Sequence, residues 1–480
     1  MKRGWASCVA IAALLSACGG GGDGGGGTYA SGGGAGASPA PSATAGCSLR
    51  ERQDWVAAQV REWYLFPDTL PTSLDPSKYP TVDGYLDALT ATARAQNKDR
   101  YFSYLTSIKA EDAYNASGAT AGFGFRLALD TSAGARLYVT EAFENGPALA
   151  AGIDRGAEIV AIGTTAGNLA TVTSLYAQGG DALNTALGPS TAGTVRYLQV
   201  RDASGTRTVA VTKADFNLAG VSPRYGAQVI TDGGQQYGYL NLRTFIPAAD
   251  QSLRDAFARF RAAGITNVVI DFRYNGGGAL STAELIGDLL GANRSASEVF
   301  DYVSFRPEKA SNNTTRFFQP QPQSIAPTRL AFIGTGGTAS ASELVINAMI
   351  PYLHANVGLI GTNTYGKPVG QIALDRSQCD DRLRLIALAV QNANRQGGYY
   401  NGLAGTVEAS CRAGDDIRYP MGDPREASTR AALDFLQGKS CTPITAGTSG
   451  VTAQAAGGRE ALTPAVGDAS PAQRDVPGLF

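Results

Sequence analysis

Histidine is nearly missing from this chain: His354 is the only one in 480 residues. A metal centre built on several imidazoles is therefore excluded. A Ser-His-Asp arrangement would have to rest on that single residue. His354 follows Pro351 at the expected exit of a helix, which suits a surface or capping residue. Charge is also scarce, at 17%, and Lys+Arg (40) nearly balance Asp+Glu (41). A formal net charge of -1 argues against a nucleic-acid binder, which needs a basic face to neutralise phosphates. No Gly-x-x-x-x-Gly-Lys-Ser/Thr, Gly-x-Ser-x-Gly or Ser-x-x-Lys pattern occurs. Neither metal nor organic cofactor is implied.

What the chain has is a hydrophobic fraction of 44%, enough to build a large core across two or three domains. Its first residues read as an export signal: Lys2 and Arg3, then the short apolar run Val9–Leu15, then Leu15-Ser16-Ala17-Cys18. That run is too short to span a bilayer. The segment resembles the lipobox of bacterial lipoproteins, which implies cleavage after residue 17 and acylation of Cys18. An ordinary signal peptide carrying a Cys is the plainer alternative. Gly19 after the Cys implies the outer membrane of a Gram-negative cell, facing the periplasm, with the cell surface as the other possibility.

Of the six cysteines, Cys8 falls in the signal and Cys18 at the anchor. Cys47, Cys379, Cys411 and Cys441 remain, an even set that suits two disulfides in an oxidising compartment. The expected pairing is Cys379–Cys411 with Cys47–Cys441, since the first pair brackets one segment. Zinc is disfavoured because no two of these residues have the close spacing of zinc ligands.

Residues 19–46 are mostly Gly, Ser, Ala and Pro with hardly any bulky apolar side chain, and read as a flexible tether. Over 47–117 the spacing of Trp55, Val56, Val60, Trp63 and Tyr64 predicts helices, and the region is read as a small helical domain. From 118 to 215 short strands alternate with Gly-rich turns. Between 216 and 442 strands alternate with helices: Tyr237–Phe245, Asp250–Ala262, Asn267–Phe272, Thr282–Leu290, Arg329–Ile333 and Ser342–Met349. Such alternation predicts an α/β layer with parallel strands. The stretch 443–480 is poor in periodic apolar residues and is expected to be disordered.

The 118–215 region resembles a PDZ domain. Gly122-Phe123-Gly124-Phe125 matches the loop that receives a chain terminus, followed by Asn145-Gly146-Pro147-Ala148 and Ala151-Gly152-Ile153. Glycines let successive backbone N–H groups face one carboxylate while strand addition supplies further affinity. Gly156-Ala157-Glu158-Ile159 departs from the Gly-Asp usual before the Ile.

Three further segments suggest chemistry. Gly336-Gly337-Thr338-Ala339-Ser340-Ala341-Ser342-Glu343 joins a buried strand to a helix, placing Ser340 among unsatisfied N–H groups. It also reads as an ordinary capping box, Ser340 to Glu343. Asn363-Thr364-Tyr365-Gly366-Lys367-Pro368-Val369-Gly370-Gln371 follows an apolar run, so Lys367 is well placed for burial, which lowers an amine's pKa. Gln371 is a candidate to orient the amine. Solvent-facing roles for both are the plain alternative. Asp271-Phe272-Arg273-Tyr274-Asn275-Gly276-Gly277-Gly278 could present backbone N–H groups to a carbonyl, or be a simple turn.

Together these segments resemble the C-terminal processing (tail-specific) serine–lysine peptidases. The resemblance implies Ser340 as nucleophile, Lys367 as base, Gln371 as its partner, Gly277 and Ala341 as oxyanion donors, and Glu343 in support. It implies an N-terminal helical domain, a PDZ-like domain and a peptidase core of the ClpP/crotonase-like α/β type. Protein or peptide substrates follow, with the membrane reached through the lipid anchor. Thr338, Tyr365 and Pro368 depart from the family pattern. An inactive binding or scaffold lipoprotein of the same fold is the leading alternative, and a hydrolase of small substrates the second.

Overall fold

The computed structural model describes residues 45–179, 181–445 and 459–480. The expected signal, Cys18 and all but the end of the tether lie outside those residues. No helix among the described residues is long and apolar enough to cross a membrane.

Ser48 opens α1 (Leu49–Trp63) with a capping box to Glu51, and Thr81 caps α2 (Val82–Ala95). Val56, Val60, Leu86 and Leu89 bury one face of each helix. The pair packs on Val369, Leu383, Leu385 and Ile386. The N-terminal region is not purely helical. Tyr104–Ser107 forms β1 ahead of α3 (Ile108–Ser117), because its edge is completed by a distant strand, β18 (Asp381–Gln391). Local periodicity carries no such information.

The next region holds β2 (Ala119–Gly122), β3 (Phe125–Asp130), β4 (Arg136–Ala142), β5 (Glu158–Gly163) and β6 (Leu169–Thr171). It continues through β7 (Val195–Asp202), β8 (Gly205–Thr212) and β9 (Ala214–Asn217), with short helices α4 (Pro147–Ala150), α5 (Val172–Tyr176) and α6 (Ala182–Leu187). Strands β3, β4, β5, β7 and β8 follow one another in a mostly antiparallel sheet around their own apolar core.

The α/β layer has the order β10 (Gln228–Asp232), β11 (Gln235–Asn241), β12 (Asn267–Asp271), β15 (Arg329–Gly334), β16 (Val357–Gly361) and β19 (Ala409–Arg412). All neighbours are parallel except the β10–β11 hairpin. Helices α7 (Asp250–Ala262), α8 (Leu280–Leu289) and α9 (Ala341–Leu353) contribute to the core on one side. On the other side lies α10 (Ala427–Leu436). Burial on both faces explains the near-continuous apolar strands. A second antiparallel sheet contains β13 (Val299–Phe305), β14 (Thr314–Phe317), β17 (Val369–Arg376) and β18.

Two expectations are corrected. The disulfides are Cys47–Cys379 and Cys411–Cys441. Cys411 sits on β19 and the chain returns past α10 to bring Cys441 beside it, while Cys47 precedes α1 and meets the turn before β18. Residues 459–480 are not disordered. Glu460–Ala461 forms β20 on the edge of β3, and Pro471–Asp475 forms a helical turn capped by Ser470. Strand addition and a few buried apolar side chains order this segment without any internal periodicity.

Candidate active site

The site lies at the carboxyl ends of β12 and β15, where parallel strands release their loops. The buried Asp271 carboxylate holds the Arg273 guanidinium at 2.9 Å and accepts the Tyr239 hydroxyl at 2.6 Å. Arg273 reaches on to Glu426 (2.9 Å) and Asp415 (3.0 Å). This buried ion network fixes the Gly-rich loop. Asn275 then joins it to the Ser340 turn: its carbonyl accepts the Ala339 N–H at 3.0 Å and the Ser342 hydroxyl at 3.1 Å. Thr338 completes the join by donating its hydroxyl to the Phe272 carbonyl at 2.8 Å.

Ser340 is unlike the other N-caps of the described helices. Ser48, Thr81 and Ser107 are all extended, with ψ of 156°, 158° and 131°. Ser340 has φ 55° and ψ -115°, a conformation an L residue holds only when its surroundings impose it. Gly277 approaches so closely that a Cβ there would lie 2.7 Å from the Ser340 Cβ, and its φ of 116° admits only glycine. The capping box read from the sequence is present, with the Ser340 N–H donating to Glu343 Oε2 at 3.0 Å. Cap and strain coexist.

Glu343 does more than cap. Its fully buried carboxylate also accepts the Gly366 N–H at 2.7 Å and the Lys367 N–H at 2.7 Å. One side chain therefore ties the Ser340 turn to the Lys367 loop across 24 residues of chain. Burial raises its pKa, opposed by the Thr364 hydroxyl and these N–H groups.

Ser340 and Lys367 line the same cavity, of about 520 Å³, with Gln371, Gly276, Phe102 and Tyr365. The Lys367 ammonium lies 5.0 Å from the centre of the Phe102 ring. Burial pulls its pKa down to about 8, with Asp475 and Asp99 opposing the shift and Arg384 adding to it. Asp99 holds the Phe102 backbone in place, accepting the Phe102 N–H at 2.8 Å and the Ser103 hydroxyl at 2.7 Å. Pro368 does not take Lys367 out of this cavity; its carbonyl accepts the Val390 N–H at 3.1 Å.

Two of the expected roles find different partners. Gln371 donates its amide to the Phe102 carbonyl, and no hydrogen bond joins it to Lys367 among the described residues. The Gly277 N–H donates to Asn275 Oδ1 at 2.9 Å and is not presented to the cavity. The loop donor that reaches into the cleft is Gly276, whose N–H meets the Asp475 carbonyl at 2.8 Å. Ala341 N–H has no acceptor among the described residues, as suits a first helical residue beside the nucleophile candidate. The sequence reading missed Phe102, Arg474 and Asp475. Ser470-Pro471-Ala472-Gln473, a capping box with Pro at the first helical position, was the available signal for the last two.

Gly122, Phe123, Gly124 and Phe125 do not line this cleft; they run from the end of β2 to the start of β3. Gly124 and Phe125 donate their N–H groups to the Phe480 backbone oxygen at 3.0 and 3.4 Å. His354 is exposed and pairs with Glu408 at 3.0 Å, a surface residue at the end of α9.

A putative S41 protease from Bacteroides fragilis NCTC 9343 superposes with a TM-score of 0.62 over 80% of this chain and 97% of that one, at 23% identity. Residues 236–401 match the model of peptidase family S41, and residues 51–104 match the peptidase S41 N-terminal domain. The chain is 27% identical over 271 residues to a chloroplastic C-terminal processing peptidase of Tetradesmus obliquus. That match spans 54% of each protein, about half of the curated relative's length.

Proposed function

We propose that this protein is a serine endopeptidase in which Ser340 attacks the scissile carbonyl and uncharged Lys367 takes the hydroxyl proton. The observation that carries the reading is that both side chains line one cavity while Glu343 pins the backbone of both. A lysine titrating near 8 is neutral often enough at ordinary pH to serve as a base. The strained Ser340 backbone supports a pre-set nucleophile, since such strain persists where a site requires it. As the tetrahedral oxyanion forms, Ala341 N–H and a glycine N–H of the loop stabilise it, and Gly276 is better aimed than Gly277. Lys367 returns the proton to the leaving amine, then activates the water that hydrolyses the acyl-enzyme. Gln371 keeps Phe102 over the amine through the Phe102 carbonyl, a positioning role.

Residues 118–215 act in this reading as a PDZ-like module that takes polypeptide ends along the β3 edge, where β20 now pairs. The relative's name, a C-terminal processing peptidase, agrees with that use. Export and acylation at Cys18 remain part of the proposal, as does an outer-membrane address. The decisive experiment uses a serine-directed acylating probe and an unfolded reporter protein. Ser340→Ala is expected to lose both labelling and cleavage, and Lys367→Ala to lose cleavage. Cleavage that persists in purified Ser340→Ala defeats the assignment of Ser340, and a parent that neither labels nor cleaves favours a binding lipoprotein.

A further inference from the structure

Residues 459–480 lie on the body of the protein as a peptide ligand would. Glu460 and Ala461 pair antiparallel with Leu129 and Ala128 of β3. Farther along the same edge, Leu127 N–H donates to the Gly478 carbonyl at 2.8 Å, and Phe480 N–H donates to the Phe125 carbonyl at 3.0 Å. The Phe480 oxygen accepts from Gly124, within the loop expected to receive substrate. Phe480 is buried in the β-rich core, and Leu479 and Val476 enter the core of the α/β region.

Between these anchors the turn Pro471–Asp475 crosses the Ser340 cleft. Arg474 and Asp475 line the cavity that holds Ser340 and Lys367. The Asp475 carbonyl occupies the N–H of Gly276, the loop residue proposed above as an oxyanion donor. A Cβ on Gly276 would lie 3.0 Å from the carbonyl oxygens of both Arg474 and Asp475, so the loop has no room for a second backbone there. Gln473 locks the arrangement by donating to the Leu479 carbonyl at 2.9 Å.

We infer that segment 459–480 is the protein's own ligand for the β3 edge and the Ser340 cleft, and that polypeptides presenting a Gly-Leu-Phe-like apolar stretch displace it. The inference rests on the peptidase reading for its consequence, closure of the active site, but not for the occupancy itself. Both the strand edge and the cleft are filled by one segment, so an incoming chain cannot use either while the segment stays. A tethered ligand acts at an effective concentration on the order of millimolar, so free peptides compete poorly until the segment is weakened.

The test measures binding of labelled Arg-Asp-Val-Pro-Gly-Leu-Phe and cleavage of an unfolded reporter by the full chain. The parent is compared with Leu479→Asp/Phe480→Asp and with the milder Phe480→Ala, which keeps the Leu479 anchor should the double variant misfold. Hydrogen exchange at Gly124 and Leu127 reports release of the segment. Once the segment is released, the labelled peptide is expected to bind about tenfold more tightly or better than to the parent. Reporter cleavage should rise several-fold, and added peptide should suppress it. Equal peptide binding by parent and released variants overturns the inference, as does cleavage that is measurable in the parent and unchanged after release. If no form cleaves the reporter or labels at Ser340, the peptidase reading falls alone, and peptide binding still decides the occupancy.

Discussion

The Glu343 carboxylate accepts the Lys367 backbone N–H at 2.7 Å, and through that contact the two halves of the candidate site share one support. Glu343→Gln keeps the shape but offers a single acceptor oxygen to three N–H donors, and turns an amide toward them. A buried donor left unpaired costs about 1–3 kcal/mol. A lower melting temperature is expected, with cleavage reduced about a hundredfold, as when reacting groups are displaced by an ångström. Unchanged turnover in a folded Glu343→Gln variant would remove this residue from the site.

The pH profile follows from Lys367. Its folded-state pKa, about 8, lies below the ordinary lysine value because burial disfavours the ammonium. Below pH 8 the neutral fraction, and with it kcat/KM, should rise about tenfold per pH unit and level off above. Asp475 and Asp99 oppose the shift, while Arg384 favours it. Asp475→Asn should therefore move the rising limb to lower pH. A profile flat between pH 6 and 9 would exclude Lys367 as the base. The same depressed pKa makes Lys367's contribution to folding stability complete only above the unfolded value. That contribution falls as pH drops from about 10.5 toward 8.

The Cys411–Cys441 bridge closes a separation of 30 residues around α10. Loop-closure entropy assigns it roughly 3–4 kcal/mol. Cys411→Ser/Cys441→Ser should melt several degrees lower in calorimetry, yet keep its peptidase activity, because the bridge lies away from the cavity lining. Loss of activity at temperatures where the double variant is still folded would show that the bridge also shapes the site.

Much of the architecture was legible before any coordinates. The 3.6-residue spacing in α1 and α7 and the unbroken apolar runs of β12 and β15 are local signals that burial on both sheet faces enforces. The Ser340, Lys367 and Gly-rich segments stood out only in combination, through the resemblance their order carries, since each alone also reads as a cap, a solvated charge or a turn. The cysteine partners were not legible, since four thiols distant in sequence carry no record of which loops return to which strand. Nor could residues alone reveal that Gly277 gives its N–H to Asn275, or that Ser340 sits at positive φ. Those depend on how the β12 and β15 loops press on one another. The destination of residues 459–480 was decided only in three dimensions, because a strand edge recruits a partner through backbone groups that every sequence possesses.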